Sequence, residues 1–231
     1  MKSLDHTAGI NRLQRRHIAA RAARDVLDGA YVNLGIGMPL LIADYVLPDR
    51  EVIYHSENGM LGMGPAPVPG DEDEDLVNAG KQLVTLVNGG CYFNSADSFA
   101  IMRGKHLDMV FLGAFQVSEA GDLANWITDD KNNLPSVGGA MDLAVGCKDI
   151  RVLMEHVTRD GKPRILKECT YPLTARKVVK HIYTDLAVID VNPSGLIVRE
   201  MVEGIDFGTL QELTGVPLML DRNWRILERL I

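Results

Sequence analysis

Glu57 stands in an unusual place. It lies in the run His55-Ser56-Glu57-Asn58-Gly59-Met60-Leu61-Gly62, directly after a short β-prone stretch that reads as a strand. Strand ends in a parallel sheet are half buried, and an ionised carboxylate there needs hydrogen-bond donors. Asn58 and the N–H groups around Gly59 are the local candidates, in a sharp turn. A carboxylate held in this way serves as an anchor, a general base or a nucleophile, and the local residues leave all three open. Two glycine-rich runs have related chemistry. In Asn33-Leu34-Gly35-Ile36-Gly37-Met38-Pro39, glycines end a strand and a proline opens a helix, so backbone N–H groups are offered to a carbonyl oxygen or a phosphate. A tight turn explains the same residues, because the run lacks the full GxGxxG fingerprint. In Val137-Gly138-Gly139-Ala140-Met141-Asp142-Leu143, two glycines precede a helix-forming stretch. That suits an oxyanion site, and equally close packing of a helix on a strand.

Other chemistry is poorly supported. Asn125-Trp126 is a polar–aromatic pair that a capped turn beside a buried Trp explains as well as a site does. His17, His106, His156 and His181 lack neighbours at metal-ligand spacing, so no metal is expected. Ser56 is not in the GxSxG context of a hydrolase elbow. Cys91 follows Gly89-Gly90 without a basic neighbour and reads as a buried thiol. Three scattered cysteines make neither a disulfide framework nor a CxxC site and fit a reducing compartment.

The elements that must position these residues follow from the apolar pattern. Residues 11–27 read as a helix, with Ile18, Ala22 and Val26 on one face, Asn11 as its cap and Gly29 at its C-terminal end. Arg12, Arg15, Arg16, Arg21 and Arg24 read as its solvated side. Strands are expected at 31–35, 51–56, 83–87, 109–112, 151–154, 165–168 and 186–191, and helices at 39–47, 97–103 and 208–213. The acidic run 71–75 reads as a surface loop, and 193–195 as a hairpin-type turn. Strands interleaved with helices predict one α/β domain, three layers deep, around a largely parallel sheet. Ligands of such sheets bind beyond the C-terminal ends of the strands, which is where Glu57 and both glycine runs fall.

Composition bounds the function. The chain has 231 residues, 24 Lys+Arg against 31 Asp+Glu, and a formal net charge of −7. That length is roughly one and a half typical domains and needs no staple to bury a core. An acidic balance gives no footprint for nucleic acid or an anionic membrane, although a local cationic cluster can still hold an anionic substrate. The first 30 residues carry five Arg and no signal-type apolar run, so a cytoplasmic protein is expected.

The run SENGMLGMGP over residues 56–65 resembles the signature of the family I CoA-transferases. NLGIGMP (33–39), NAGK (78–81), DSFAIMRG (97–104), LGAFQVS (112–118), GDLANW (121–126), GGAMDL (138–143) and CTYPLT (169–174) follow in the family's order. The chain is similar to the B-type subunit of the 3-oxoacid members. The resemblance implies that Glu57 is a nucleophile forming a glutamyl-CoA thioester, and that Gly139 and Ala140 form an oxyanion and CoA-contacting loop. It implies further that Asn33, Gly35 and Gly37 hold the acyl or pantetheine end, and that Lys81 meets the nucleotide end of CoA. Asn58, Arg103 and Asn125 are substrate-side candidates, Arg103 as the cation for a second substrate carboxylate. No permanently bound cofactor is implied, since the CoA thioester is itself the substrate. The implied partner is an A-type subunit in a hetero-oligomer of A2B2 type, with succinyl-CoA as donor and 3-oxoadipate or acetoacetate as acceptor. Residues 205–218 and 133–146 look closer to the 3-oxoadipate members, whereas Asn94-Ser95 looks closer to the acetoacetate type. Residues 1–10 and 221–231 match nothing assignable and are expected to be flexible tails. Two rivals share the fold: a non-catalytic effector- or CoA-binding domain, and a sugar-phosphate isomerase, which would want an Asp/His pair in the glycine loops.

Overall fold

The computed structural model describes residues 10–129 and 134–231. The first half contains α1 (Arg15–Ala23), β1 (Tyr31–Leu34), a 3₁₀ segment (Met38–Asp44), β2 (Ile53–Ser56), β3 (Met60–Met63), β4 (Leu86–Tyr92) and α2 (Ser95–Arg103). It continues with β5 (Met109–Gly113), β6 (Gln116–Ser118), β7 (Leu123–Ala124), α3 (Ala140–Gly146), β8 (Ile150–Leu153) and β9 (Ile165–Leu166). The C-terminal part is β10 (Val179–Tyr183), β11 (Ala187–Asn192), β12 (Gly195–Val202), α4 (Phe207–Glu212) and β13 (Leu218–Leu227). Among the described residues ten strands form one sheet, ordered β13-β12-β11-β10-β8-β5-β1-β2-β3-β4, and β7-β6-β9 form a second, small one.

Five neighbouring strands, β10, β8, β5, β1 and β2, run parallel. Their apolar runs are continuous because both faces are covered, and every residue of β8 and the first four of β5 are buried. Phe111, Ile150, Val152 and Ile182 are at the centre of the core. Helix α1 buries Ile18 and four alanines, whose small side chains allow close approach, and it lies against the 3₁₀ segment, β8 and β10. Helix α2 packs on α3, and α3 on β5. The expected α/β architecture with a mostly parallel centre is what forms; antiparallel hairpins extend it at both ends.

Several local expectations fail for identifiable reasons. The helix expected over 11–27 is shorter, because Leu13 donates its N–H to Asp185 O and Arg12 pairs with Asp185, drawing 11–13 off the helix axis. Its last turn gives way to i→i−3 bonds at Arg24, Asp25 and Val26, and Gly29 donates instead to Glu51 O. The arginines are not simply a solvated side: Arg15 pairs with Glu155 and Arg21 with Glu200. The helix expected over 39–47 is instead a 3₁₀ segment, Met38–Asp44. The strand expected at 83–87 is centred later, on Leu86–Tyr92, and Cys91 within it is exposed rather than buried because β4 is an edge strand. Of the expected tails, 1–9 lie outside the described residues, while 221–227 belong to β13, which pairs in parallel with β12. The turn at 193–194 is as expected, with Asn192 paired to Gly195 across it, and 71–75 is exposed loop.

Candidate active site

Strand β2 ends at Ser56, and the chain reverses through Glu57, Asn58 and Gly59 so that Met60 pairs back on Ser56. The turn is tightly specified. Gly59 has φ 119°, and any Cβ there would collide with the backbone carbonyl of Phe93. Asn58 does not reach towards Glu57. Its Oδ1 accepts from Ser56 Oγ at 2.7 Å and its Nδ2 donates to Val77 O at 2.8 Å, while Ala79 N–H donates to Ser56 Oγ at 3.0 Å. Asn58 therefore staples the turn to the following loop and leaves Glu57 projecting alone.

Behind the turn runs a buried polar chain. Asn33 Nδ2 donates to His55 Nδ1 at 3.0 Å and to His55 O at 3.1 Å. An amide nitrogen can only donate, so Nδ1 accepts and His55 carries its proton on Nε2, facing Ser98 Oγ at 3.0 Å. Burial pulls the His55 pKa down to about 4, so the ring is neutral. Asn33 is thus spent on orienting β2 and does not line the main cavity. The sequence reading passed over His55 and Ser98; their signal was a histidine beside the glutamate and a serine on the helix behind it.

The carboxylate of Glu57 is half buried on the wall of a cavity of about 470 Å³. Around it stand the C-terminal ends of the parallel strands: Gly35 and Ile36 after β1, Gly113 at the end of β5 with Ala114 and Phe115 after it, Met154 and Glu155 after β8. Gly138 and Gly139 cover Glu57. A Cβ on Gly139 would strike Glu57 Oε2 and sit 3.1 Å from Cδ, so a side chain there displaces the carboxylate from its present place. Three influences act on the Glu57 pKa. Burial raises it most, the Gly139 N–H bonded to the carboxylate lowers it, and the Asp142 charge raises it further; the net direction is up. No cation pairs with Glu57 among the described residues. The Glu57 carboxylate thus has one backbone donor, no counter-ion among the described residues and an open cavity in front of it.

The other candidates divide. Gly35 donates its N–H to Phe111 O at 2.8 Å, and a Cβ there would come within 3.0 Å of that oxygen, so it welds β1 to β5 while lining the cavity. Gly37 (φ 88°) makes the turn into the 3₁₀ segment and is not on the cavity wall. Ala140 lines the cavity, but its N–H donates to Val137 O at 3.0 Å, which leaves Gly139 as the donor of the pair that reaches Glu57. Asn125 is on the wall, its Nδ2 donating to Gly113 O and its Oδ1 accepting from Thr174 Oγ1 at 2.6 Å. Lys81 (φ 62°) is exposed at the tip of a turn off the cavity wall. Arg103 is also off the wall: its Nε donates to Asp142 Oδ1 at 2.6 Å and its guanidinium lies over Phe99. It joins α2 to α3 rather than facing the cavity. No group of three or more metal-ligating side chains occurs among the described residues, and none of the described helices is long and apolar enough to cross a membrane.

A strand-end glutamate thus lies under a glycine loop at the C-terminal edge of a parallel sheet, where ligands of such sheets bind. The sequence profile of the family described as Coenzyme A transferase matches residues 15–207, and the chain belongs to that family. It is 58% identical over 208 residues to the B subunit of the 3-oxoadipate CoA-transferase of Pseudomonas putida, covering 90% of this chain and 97% of that one. It is 46% identical over 200 residues to the B subunit of a probable succinyl-CoA:3-ketoacid coenzyme A transferase of Bacillus subtilis, covering 87% and 92%. Among solved structures, an acyl-CoA transferase from Escherichia coli O157:H7 superimposes with a TM-score of 0.71 at 17% identity, over 94% of this chain and 44% of that one. The fold alone is shared at that distance, and this chain spans less than half of the larger protein.

Proposed function

We propose that this chain is the glutamate-bearing subunit of a CoA-transferase that moves CoA from succinyl-CoA to a 3-oxo acid, 3-oxoadipate in preference to acetoacetate. The observation that carries it is the Glu57 carboxylate, unpaired by any described cation, set under Gly139 in an open cavity. Acceptor preference is supported by 58% identity to a relative named for 3-oxoadipate against 46% to one named for 3-ketoacids.

Glu57 attacks the acyl-CoA carbonyl through a carboxylate oxygen; the C–S bond breaks and CoA thiolate leaves behind an acyl-glutamyl anhydride. The thiolate then attacks the glutamyl carbonyl, expels the donor acid as its carboxylate, and remains as a thioester on Glu57. The acceptor carboxylate runs the same steps in reverse, so no proton or oxidant is consumed. Attack of the thiolate on the glutamyl carbonyl builds charge on a Glu57 oxygen, which the Gly139 N–H already meets; one such donor is worth about 3 kcal/mol. Burial, which raises the Glu57 pKa, also strips the water that would weaken it as a nucleophile and hydrolyse the intermediates. An A-type partner completes the enzyme, as the naming of both relatives as B subunits suggests.

The test is a chemical trap. The chain is co-expressed with a neighbouring A-type subunit, incubated with succinyl-CoA, reduced with borohydride and mapped by mass spectrometry. Reduction of the Glu57 side chain to the alcohol is expected. Bound CoA with no modification at Glu57 would leave a binding protein in place of the enzyme.

A further inference from the structure

Four charged side chains line the cavity: Glu57, Arg15, Glu155 and Arg164. Arg15 and Glu155 neutralise each other, Nη2 to Oε1 at 3.1 Å. That leaves Arg164. Its side chain is half buried, and among the described residues it has neither an ion pair nor a side-chain hydrogen bond. A partly desolvated guanidinium without an anion is costly unless something arrives to pair with it. Its backbone is firmly placed: the Arg164 N–H donates to His156 O at 3.1 Å and its carbonyl accepts from Val117 at 3.0 Å, where β9 joins β6. The backbone that carries the cation is fixed in the wall, and its guanidinium is left to pair with a ligand.

Its position sets it apart from the carboxylate on a shared wall. Glu57 follows β2 in the large sheet, whereas Arg164 immediately precedes β9 of the small sheet, eleven residues beyond the end of β8, and both line the same cavity. Between them the wall is largely apolar, with Ile36, Met38, Leu112 and Ala114. A reacting carbonyl at Glu57, a short methylene chain over that floor and an anion at Arg164 describe an acyl group with a second carboxylate at its far end. A guanidinium fork matches a carboxylate or a phosphate in two parallel bonds, so the fork alone does not choose; the apolar floor between it and Glu57 is what favours a short acyl chain ending in a carboxylate.

We propose that Arg164 is the specificity-determining cation of the site, pairing with the distal carboxylate of a dicarboxylic acyl donor or acceptor. This rests on the CoA-transfer reading given above, and it assigns to Arg164 the role that the sequence pattern suggested for Arg103.

The experiment compares donors that share CoA and differ in the distal group. With the complete two-subunit enzyme, kcat/KM for glutamyl-thioester formation is measured for succinyl-CoA and for acetoacetyl-CoA, in wild type, Arg164→Gln and Arg164→Lys. Losing a charge-assisted hydrogen bond predicts that Arg164→Gln lowers the succinyl-over-acetoacetyl ratio by roughly 10- to 100-fold, mostly through KM, with part regained in Arg164→Lys. An equal fall for both donors would place the guanidinium on the CoA phosphates instead and overturn the proposal, as would an unchanged ratio. Calorimetric titration of the same three proteins with adipate and with hexanoate provides a readout that needs no turnover. Wild type should prefer the diacid and Arg164→Gln should not; absence of that preference in wild type also overturns the proposal. A wild type that forms no thioester with either donor refutes CoA transfer, while the titration still decides Arg164.

Discussion

The carboxylates of Glu57 and Glu200 are both withdrawn from solvent, yet their surroundings are opposite in kind. Glu200, 6% exposed in its side chain, accepts from Arg21 Nε at 2.7 Å and Nη2 at 2.8 Å, and from Arg225 Nη2 at 3.2 Å. Burial works against the Arg21 charge, but Glu200 and Asp25 more than offset it and raise the Arg21 pKa. The cleft beside Glu200 is large, about 710 Å³, and lined by Arg21, Arg24, Arg50 and Arg225 with Asp25 and Glu228. Glu57 has a smaller cavity, a single backbone donor, and a like charge, Asp142, acting on it. One carboxylate is satisfied by ion pairs and holds β12 and β13 to α1; the other has no cation beside it among the described residues. Cavity size and the state of the charges point to different sites, and the proposed chemistry follows the charges.

Neutral isosteres break this comparison most sharply. Glu57→Gln keeps shape and removes the anionic nucleophile, so transfer should fall on the order of 10⁴-fold or more with the melting temperature little changed. Glu200→Gln should do the reverse. It strands Arg21 and Arg225, although Asp25 still holds Arg21 at 2.9 Å, so the cost is about 3 kcal/mol, near the lower end for a broken buried pair. For a chain of this size that lowers Tm by roughly 6–12 °C, while turnover per folded molecule stays near wild type. Parallel calorimetry and steady-state transfer assays read both. Equal losses of activity in the two variants would erase the distinction.

The same contrast exists within the short helix α3. Gly139, its N-cap, faces the Glu57 carboxylate, whereas Gly146, in its last turn, faces the backbone of Met102. The φ of Gly139 is −84°, so alanine is not strained there by backbone geometry, and its methyl must instead push the carboxylate aside. A displacement of about 1 Å in a reacting group costs around a hundredfold in rate. Gly139→Ala should therefore lose about that much in kcat with Tm nearly intact, and Gly146→Ala should lose stability first. If Gly139→Ala transfers CoA at the wild-type rate, the carboxylate is not held under that loop.

How much of this was legible in the sequence varied with the locality of the physics. Runs such as 109–112 and 151–154 announce buried parallel strands because both faces demand apolar side chains. Glu57, Gly35 and Gly139 were legible because glycine beside an odd carboxylate is a local signal. Asn58, Asn33 and Arg103 read as substrate- or CoA-side residues, and the partners the structure gives their side chains, Val77, His55 and Asp142, are 19, 22 and 39 positions away, beyond any local pattern. Arg164 gave no signal, since its importance lies in having no described partner. The strand β13 was missed for a similar reason: Met219, Leu220, Trp224 and Ile226 alternate poorly, being exposed on an edge, and only the pairing with β12 defines it.

The smallest expected effect sharpens the comparison through pH. Because burial and Asp142 raise the Glu57 pKa, the acid limb of kcat/KM for thioester formation should lie above the ordinary carboxylate value of about 4.3. Asp142→Asn removes one of the two raising influences, so the limb should move to lower pH. Arg103→Gln does the opposite, since Asp142 loses the partner at 2.6 Å that dampens its field. Both shifts should be modest, as Arg103 is 68% exposed and its pairing is screened by solvent. Stability gives an independent check of the sign. A carboxyl whose folded pKa is raised favours the folded state below its unfolded pKa and gives up that contribution as pH rises through the folded one. Wild type should therefore lose stability relative to Glu57→Gln across that interval, and Asp142→Asn should narrow it. No such divergence between the two melting curves would mean that ionising Glu57 costs the fold nothing, and that the carboxylate is as well satisfied as Glu200.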